Sequence, residues 1–242
     1  MNAKTKLHYE LICSWSGILF VVTYVACLGG IAGFLPPPSP NLSAEAMGQH
    51  WADHHDGIVL GATLASAFGV LLLPWSAQLS VMLARIEGPG PVLSIVQGMG
   101  GALTGWIMVS TPILWLAAAY RPAIPAALVQ SLTDSAWMTL CMTYAVTTVQ
   151  FWAIGLVGLA DTSPHPLFPR WLCWLTLFTG TIWIVNDAIP YHKTGPLAWD
   201  GAITLYTLFS FWLGTSLLIS VYMVRKVSSR LSEAVPGAAF AS

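Results

Sequence analysis

The sequence predicts an all-α, polytopic transmembrane bundle of six spans, and three observations carry that expectation. Only 8% of the 242 residues are charged while 56% are apolar, against roughly 25% charged in a soluble domain. The mean hydropathy is +0.70. The apolar residues gather into six runs, each near the ~20 residues that cross a ~30 Å hydrocarbon layer as a helix. Continuous stretches such as Val70-Leu71-Leu72-Leu73 lack the alternation of a transmembrane barrel strand. A net charge of −1 supplies no basic field, so nucleic-acid binding is excluded.

The first run covers about 11–34. Lys4 and Lys6 precede it and Ala26, Gly29, Gly30 and Ala32 close it, as in a secretion signal. Its length nevertheless exceeds a signal core of roughly 7–15 residues, so it reads as a retained helix. The following loop opens Leu35-Pro36-Pro37-Pro38-Ser39-Pro40, an extended segment, and Ser43 is placed to cap a short helix. The second run, about 57–84, carries Gly57, Gly61, Ala65 and Gly69 at four-residue spacing, and Gly101-Ala-Leu-Thr-Gly105 lies in the third, about 92–120. Such stripes let two helix backbones approach closely, within one chain or against a membrane partner subunit. Pro74 and Pro112 are expected to kink these two helices.

Glu87-Gly88-Pro89-Gly90-Pro91 reads as the turn between the second and third runs. The fourth run is placed at about 137–160, the fifth at 168–190 and the sixth at 201–224. Trp15, Trp171 and Trp174 at one boundary, with Trp51, Trp137 and Trp199 at the other, fit interfacial aromatic belts. Six spans put Lys4, Lys6, Arg85, Arg170, Arg225, Lys226 and Arg230 on one side, leaving Arg121 and Lys193 on the other. This 7 to 2 division of all nine basic residues predicts cytoplasmic termini by the positive-inside rule. The halves show no internal repeat of the kind that marks many carriers.

Ionisable residues bound the chemistry. None is expected at mid-depth, which removes a proton relay, a retinal lysine or a paired-histidine haem from consideration, and no cofactor is expected. Cys13, Cys27, Cys141 and Cys173 lie within apolar runs without CxxC spacing, as small fillers. Polar chemistry concentrates on the outer rim. Asp134 precedes the fourth run, and Asp187 and His192 flank the end of the fifth, Asp187 about nineteen residues from its start at roughly 1.5 Å each. These three are the candidate acid–base residues. His50 and His54 would share a helix face, with His55 beside them, as the weak candidate metal ligands; no metal is expected, and a solvated helix entrance is the plainer explanation. Gln150, the deepest polar side chain, together with Asn186 and Trp183, forms the candidate ligand-binding set. Structural glue between helices is the plainer role of Gln150.

Several segments resemble a known pattern. Pro37-Pro38-Ser39-Pro40, Arg85-Ile-Glu-Gly, Asp134-Ser-Ala-Trp137, Phe168-Pro-Arg-Trp171 and Lys193-Thr-Gly-Pro-Leu-Ala-Trp-Asp-Gly201 resemble an uncharacterised bacterial family of short six-span integral membrane proteins. The resemblance runs across most of the chain. It implies an inner-membrane location and a helical fold, and brings no catalytic residues with it. The histidines at 50–55 and Asn186-Asp187 depart from the family's usual pattern. The expectation is an accessory bundle packed with other membrane subunits, or one that holds a lipophilic small molecule. The alternatives are an enzyme acting on an isoprenoid, steroid or lipid at the outer leaflet, and a small transporter with a path past Gln150.

Overall fold

The computed structural model describes residues 2–121 and 123–233, and among them it contains helices and no strand. Six helical segments are long and apolar enough to cross a membrane. Span 1 is helix α1 (Ala3–Val25) continued by a π-helical turn, Ala26–Ile31. A short helix, α2 (Ala44–Asp53), lies in the loop that follows, and the Ser43 side chain accepts from the Ala46 amide at 3.2 Å, the expected cap. Span 2 consists of α3 (His55–Gly69) and α4 (Leu72–Glu87), and span 3 is the single helix α5 (Val92–Ala119). Span 4 joins α6 (Ala126–Met142) to α7 (Tyr144–Ala160). Span 5 is α8 (Arg170–Ile182) with a 3₁₀ continuation, Trp183–Tyr191. Span 6 opens with a π-helical stretch, Ala202–Leu208, and runs on as α9 (Phe209–Glu233).

The spans stand in chain order around the bundle, each against its predecessor and its successor, and α1 closes the ring against α9. Six crossings put both described chain ends on one face, here the terminal face, together with the 2–3 and 4–5 links. The other face, the distal face, carries α2 and the three remaining loops. Between spans 2 and 3 the chain turns through Gly88 and Gly90, at φ 82° and 76°, angles that disfavour residues with a Cβ. The Glu87 carboxylate then accepts from the Leu93 and Ser94 amides at 2.9 and 2.8 Å and so caps α5.

The fourth span departs most from the sequence expectation, starting at Ala126 rather than near 137. Gln130, Ser131, Thr133, Asp134 and Ser135 interrupt its hydropathy, but the hydroxyls are satisfied within the helix. Ser131, Thr133, Ser135 and Thr139 each donate to the carbonyl four residues back, at 2.7–3.0 Å. Asp134 therefore sits inside this helix instead of preceding it. Span 2 breaks at Val70–Leu71, which leaves Pro74 in the first turn of α4, while α5 runs through Pro112 uninterrupted.

The small-residue stripes face other spans of the same chain. A Cβ at Gly57 or Gly61 would meet the Ile31 or Cys27 carbonyl at 2.7 or 2.5 Å, and one at Gly69 would meet Met108 backbone at 2.9 Å. Gly105 lies against Leu72 and Leu73. Backbones thus approach within the bundle, where dispersion and not water exclusion holds helices together.

The two tryptophan belts prove unlike. Trp15, Trp171 and Trp174 are 46%, 52% and 60% exposed at the terminal face, as interfacial anchors should be. Trp51, Trp137 and Trp199 are only 3% exposed each, which corrects their placement as outer anchors. They belong to an internal aromatic cluster: Phe34 packs on Trp51, Trp115 and Trp137 at 6.1, 4.8 and 6.0 Å between centroids, and Trp137 stacks on Trp199 at 6.3 Å. The polyproline loop covers this cluster, since the Trp199 indole donates to the Pro38 carbonyl at 3.0 Å.

Candidate functional site

The residues expected to carry acid–base chemistry lie apart in their surroundings. Asp134 is half-buried on α6, where the charge of Lys193 acts on it. Asp187 and His192 are exposed, Asp187 near the Tyr144 hydroxyl. Among the described residues no three His, Cys, Asp or Glu side chains gather as a metal site would require. The histidines engage separate partners. The His50 and His54 rings stack at 4.4 Å, and His54 Nδ1 lies 2.9 Å from the His50 carbonyl. His55 instead has Asp56 at 2.9 Å from Nδ1 and the Ala119 carbonyl at 3.2 Å from Nε2. Burial, reinforced by His54, keeps the His50 imidazole below its ordinary pKa despite Asp53, so its uncharged form is favoured.

The three ligand-binding candidates also occupy different places. Gln150 is buried and accepts from the Thr104 hydroxyl at 3.1 Å, with Thr147 3.3 Å from Thr104. Three further residues join spans 2 and 3 in the same manner, and the sequence reading passed over all of them. Gln97 donates to Ser76 at 3.1 Å and accepts from Ser80. Gly98, Gly100 and Gly101 bring α5 close enough for these bonds, the ordinary role of small and polar residues between membrane helices. Asn186 donates to the Cys141 carbonyl at 3.2 Å, and Trp183 packs edge-on against Phe209 and Trp212 at 5.3 and 6.1 Å.

Those last two aromatic partners border the most distinctive cavity. It measures about 270 Å³ and lies at the seam where span 1 meets span 6, in the distal half. Tyr24, Val25 and Leu28 line it from span 1; Trp137 and Leu140 reach it from span 4; Leu205, Phe209 and Trp212 complete it from span 6. Near the terminal face α1 and α9 pack together, but the two π-helical stretches diverge: Ala26–Ile31 leans on α3 and Ala202–Leu208 on the 3₁₀ segment of span 5. The wider π turns displace side chains from the helical register and open the seam, as such turns often do at functional sites.

Chemically the cavity is a slot for an apolar chain. Val25, Leu35 and Tyr206 at its rim are exposed on the bundle's apolar flank, whereas Tyr24, Trp137 and Trp212 are buried at its floor. The opening therefore faces sideways toward lipid. Tyr24 donates its hydroxyl to the Met108 carbonyl at 3.2 Å, which turns that group away from other partners. No carboxylate, imidazole or amine is among the lining residues, whose polar side chains are Tyr24, Tyr206 and Ser210, so the cavity is shaped chiefly to hold an apolar molecule. Of the ligand-binding candidates, Gln150, Asn186 and Trp183 all lie outside its lining; Trp183 backs two residues that form it.

A second feature occupies the terminal face. Glu10 is 5% exposed and sits between two cations: Arg85 Nη2 donates to Oε1 at 2.7 Å and Arg230 Nη1 to Oε2 at 3.1 Å. The sequence reading began span 1 at Leu11 and gave Glu10 no role. Its partners lie 75 and 220 positions away, beyond any local signal. Comparison of the chain with family models, with curated proteins and with solved structures returns no match.

Proposed function

We propose that this protein binds one lipophilic molecule, seating an acyl-like or prenyl-like chain in the seam cavity between spans 1 and 6. The single observation carrying this reading is a lipid-facing, aromatic-floored cavity framed by two π-helical stretches. Its volume of about 270 Å³ falls just under the ~300–1,000 Å³ of typical ligand pockets, which suits a slim chain. Bilayer tails are already apolar, so transfer from the membrane provides little drive. Selection rests on dispersion and on the shape of the aromatic floor.

The asymmetry of basic residues supports cytoplasmic termini in a bacterial inner membrane, and with it a cavity opening into the outer leaflet. Binding is favoured over catalysis because the lining is almost wholly apolar and brings no carboxylate, imidazole or amine to the slot. Association with other subunits would use surfaces other than the glycine stripes, which meet the chain's own helices.

Filling the cavity tests the reading. Leu140→Trp places added bulk where Leu140 lines the slot. Native mass spectrometry after mild extraction should find one retained lipophile per wild-type chain and at least about tenfold lower occupancy in the variant, a difference of about 1.4 kcal/mol. Equal occupancy, with both proteins melting alike, would refute the proposal.

A further inference from the structure

A cavity of about 470 Å³ opens on the terminal face between spans 2 and 6 and the 4–5 link, remote from the apolar seam. Arg85, Lys226 and Arg230 line it, as does His165. Two carboxylates offset two of the three permanent cations: Glu10 behind the arginines and Asp161 on the rim. Both are already engaged. Glu10 offers one oxygen to each arginine, with Arg85 Nη1 also 3.5 Å from Oε2. Asp161 accepts from the Ser163 and Leu167 amides at 3.0 and 2.8 Å.

The cations retain unused capacity. Each guanidinium has five N–H donors and an ammonium three. Arg85 uses two nitrogens and Arg230 one on Glu10, while Lys226 gives one bond, at 2.6 Å, to the His165 carbonyl. Glu10 thus acts as a buried anvil that holds two arginine forks at the cavity wall, and Lys226 adds a point charge beside them. The net charge of this group is +1, with both carboxylates engaged and cationic N–H donors left over. We infer that the terminal-face cavity is a binding site for a phosphate ester, clamped by Arg85, Arg230 and Lys226.

Arginine forks match the planar, multidentate demand of phosphate oxygens, and the hydroxyls of Thr162 and Ser163 line the same space. The site lies at the end of the bundle where Trp171 and Trp174 are exposed at the membrane boundary. A phospholipid headgroup and a soluble phosphorylated compound share the required chemistry.

The experiment uses the full chain purified in phosphatidylcholine-containing micelles. Phosphatidic acid is added with or without excess inorganic phosphate, and retained adducts are read by native mass spectrometry. Lys226→Gln should reduce retention about tenfold, the scale of one charge-assisted hydrogen bond. Lys226→Arg should restore it, and Lys193→Gln, which removes the same charge from the distal face, should leave it unchanged. Lys226→Gln leaves the Glu10 clamp intact and removes only the exposed bond to the His165 carbonyl, so its thermal melting should shift by no more than a few degrees from wild type. Phosphatidic acid retained despite inorganic phosphate identifies a lipid headgroup as occupant; its displacement by inorganic phosphate identifies a soluble ester. Absence of retention, or equal retention by wild type and Lys226→Gln, would overturn the assignment.

Discussion

The two halves of this bundle solve the same packing problem by opposite means. Toward the terminal face the helices are regular, α1 and α9 lie together, and the buried Glu10 ties spans 1, 2 and 6 through Arg85 and Arg230. Toward the distal face spans 1 and 6 become π-helical, span 5 becomes 3₁₀, and aromatic rings fill the interior in place of ion pairs. Charge closes one end of the seam between spans 1 and 6, and its absence from the other end leaves a lipid-facing slot. Irregular helix is thereby confined to the half that holds the cavity, where its backbone is shielded by protein.

The tryptophans give the sharpest way to break this comparison. Trp137→Ala removes a buried ring that meets Phe34, Trp115 and Trp199, and should cost about 3 kcal/mol in detergent unfolding. Trp174→Ala, on the exposed belt, should stay within about 0.5 kcal/mol. Comparable losses would show that the two belts do not differ as described. Glu10→Gln should come next, at about 2 kcal/mol, because it leaves two arginines without their counter-charge. The figure is held below that for a deeply buried pair, since the Arg85 and Arg230 side chains are 38% and 40% exposed. A melting curve matching wild type would remove the clamp from the account.

A smaller effect is expected at Asp161. Burial alone would raise its pKa, but hydrogen bonds from Ser163 and Leu167, with Lys226 nearby, hold the carboxyl below its ordinary range. Folding thus favours the ionised form. Its contribution is complete above the unfolded value, near about 3.9, and fades as pH falls through the folded value. Asp161→Asn should lower stability at neutral pH by about 1 kcal/mol and flatten the decline of melting temperature below about pH 4. An unchanged acid limb would assign that decline to other carboxylates.

The sequence made the six crossings legible because about twenty consecutive apolar residues have few alternatives in lipid. It obscured the start of span 4, where the hydroxyls of Ser131, Thr133 and Ser135 lower the hydropathy yet satisfy themselves against their own helix. It could not separate Trp137 from Trp174, since a ring facing the interior and one facing headgroups have the same composition and similar positions in a run. Gly57, Gly61 and Gly69 lie against backbone of other spans, and which helix fills each hollow depends on the ring order of the spans. The seam cavity had the weakest trace of all. Gly29 and Gly30 fall in the first π-helical turn, while Ala202–Leu208 carries no corresponding glycine, so no shared motif announces the pair.

The most direct test of the central claim is a crosslinking map with the protein in bilayers containing a trace phospholipid with a photoreactive group along its acyl tail. The account predicts label concentrated on Val25, Leu28, Leu35, Tyr206 and Phe209 and selectively removed from these positions by Leu140→Trp. Label on the exposed span 3 residues Ile95, Met99 and Trp106 should be weaker and insensitive to that substitution. Even labelling of the seam and span 3, unchanged in the variant, would contradict a binding slot and leave an ordinary lipid-facing surface.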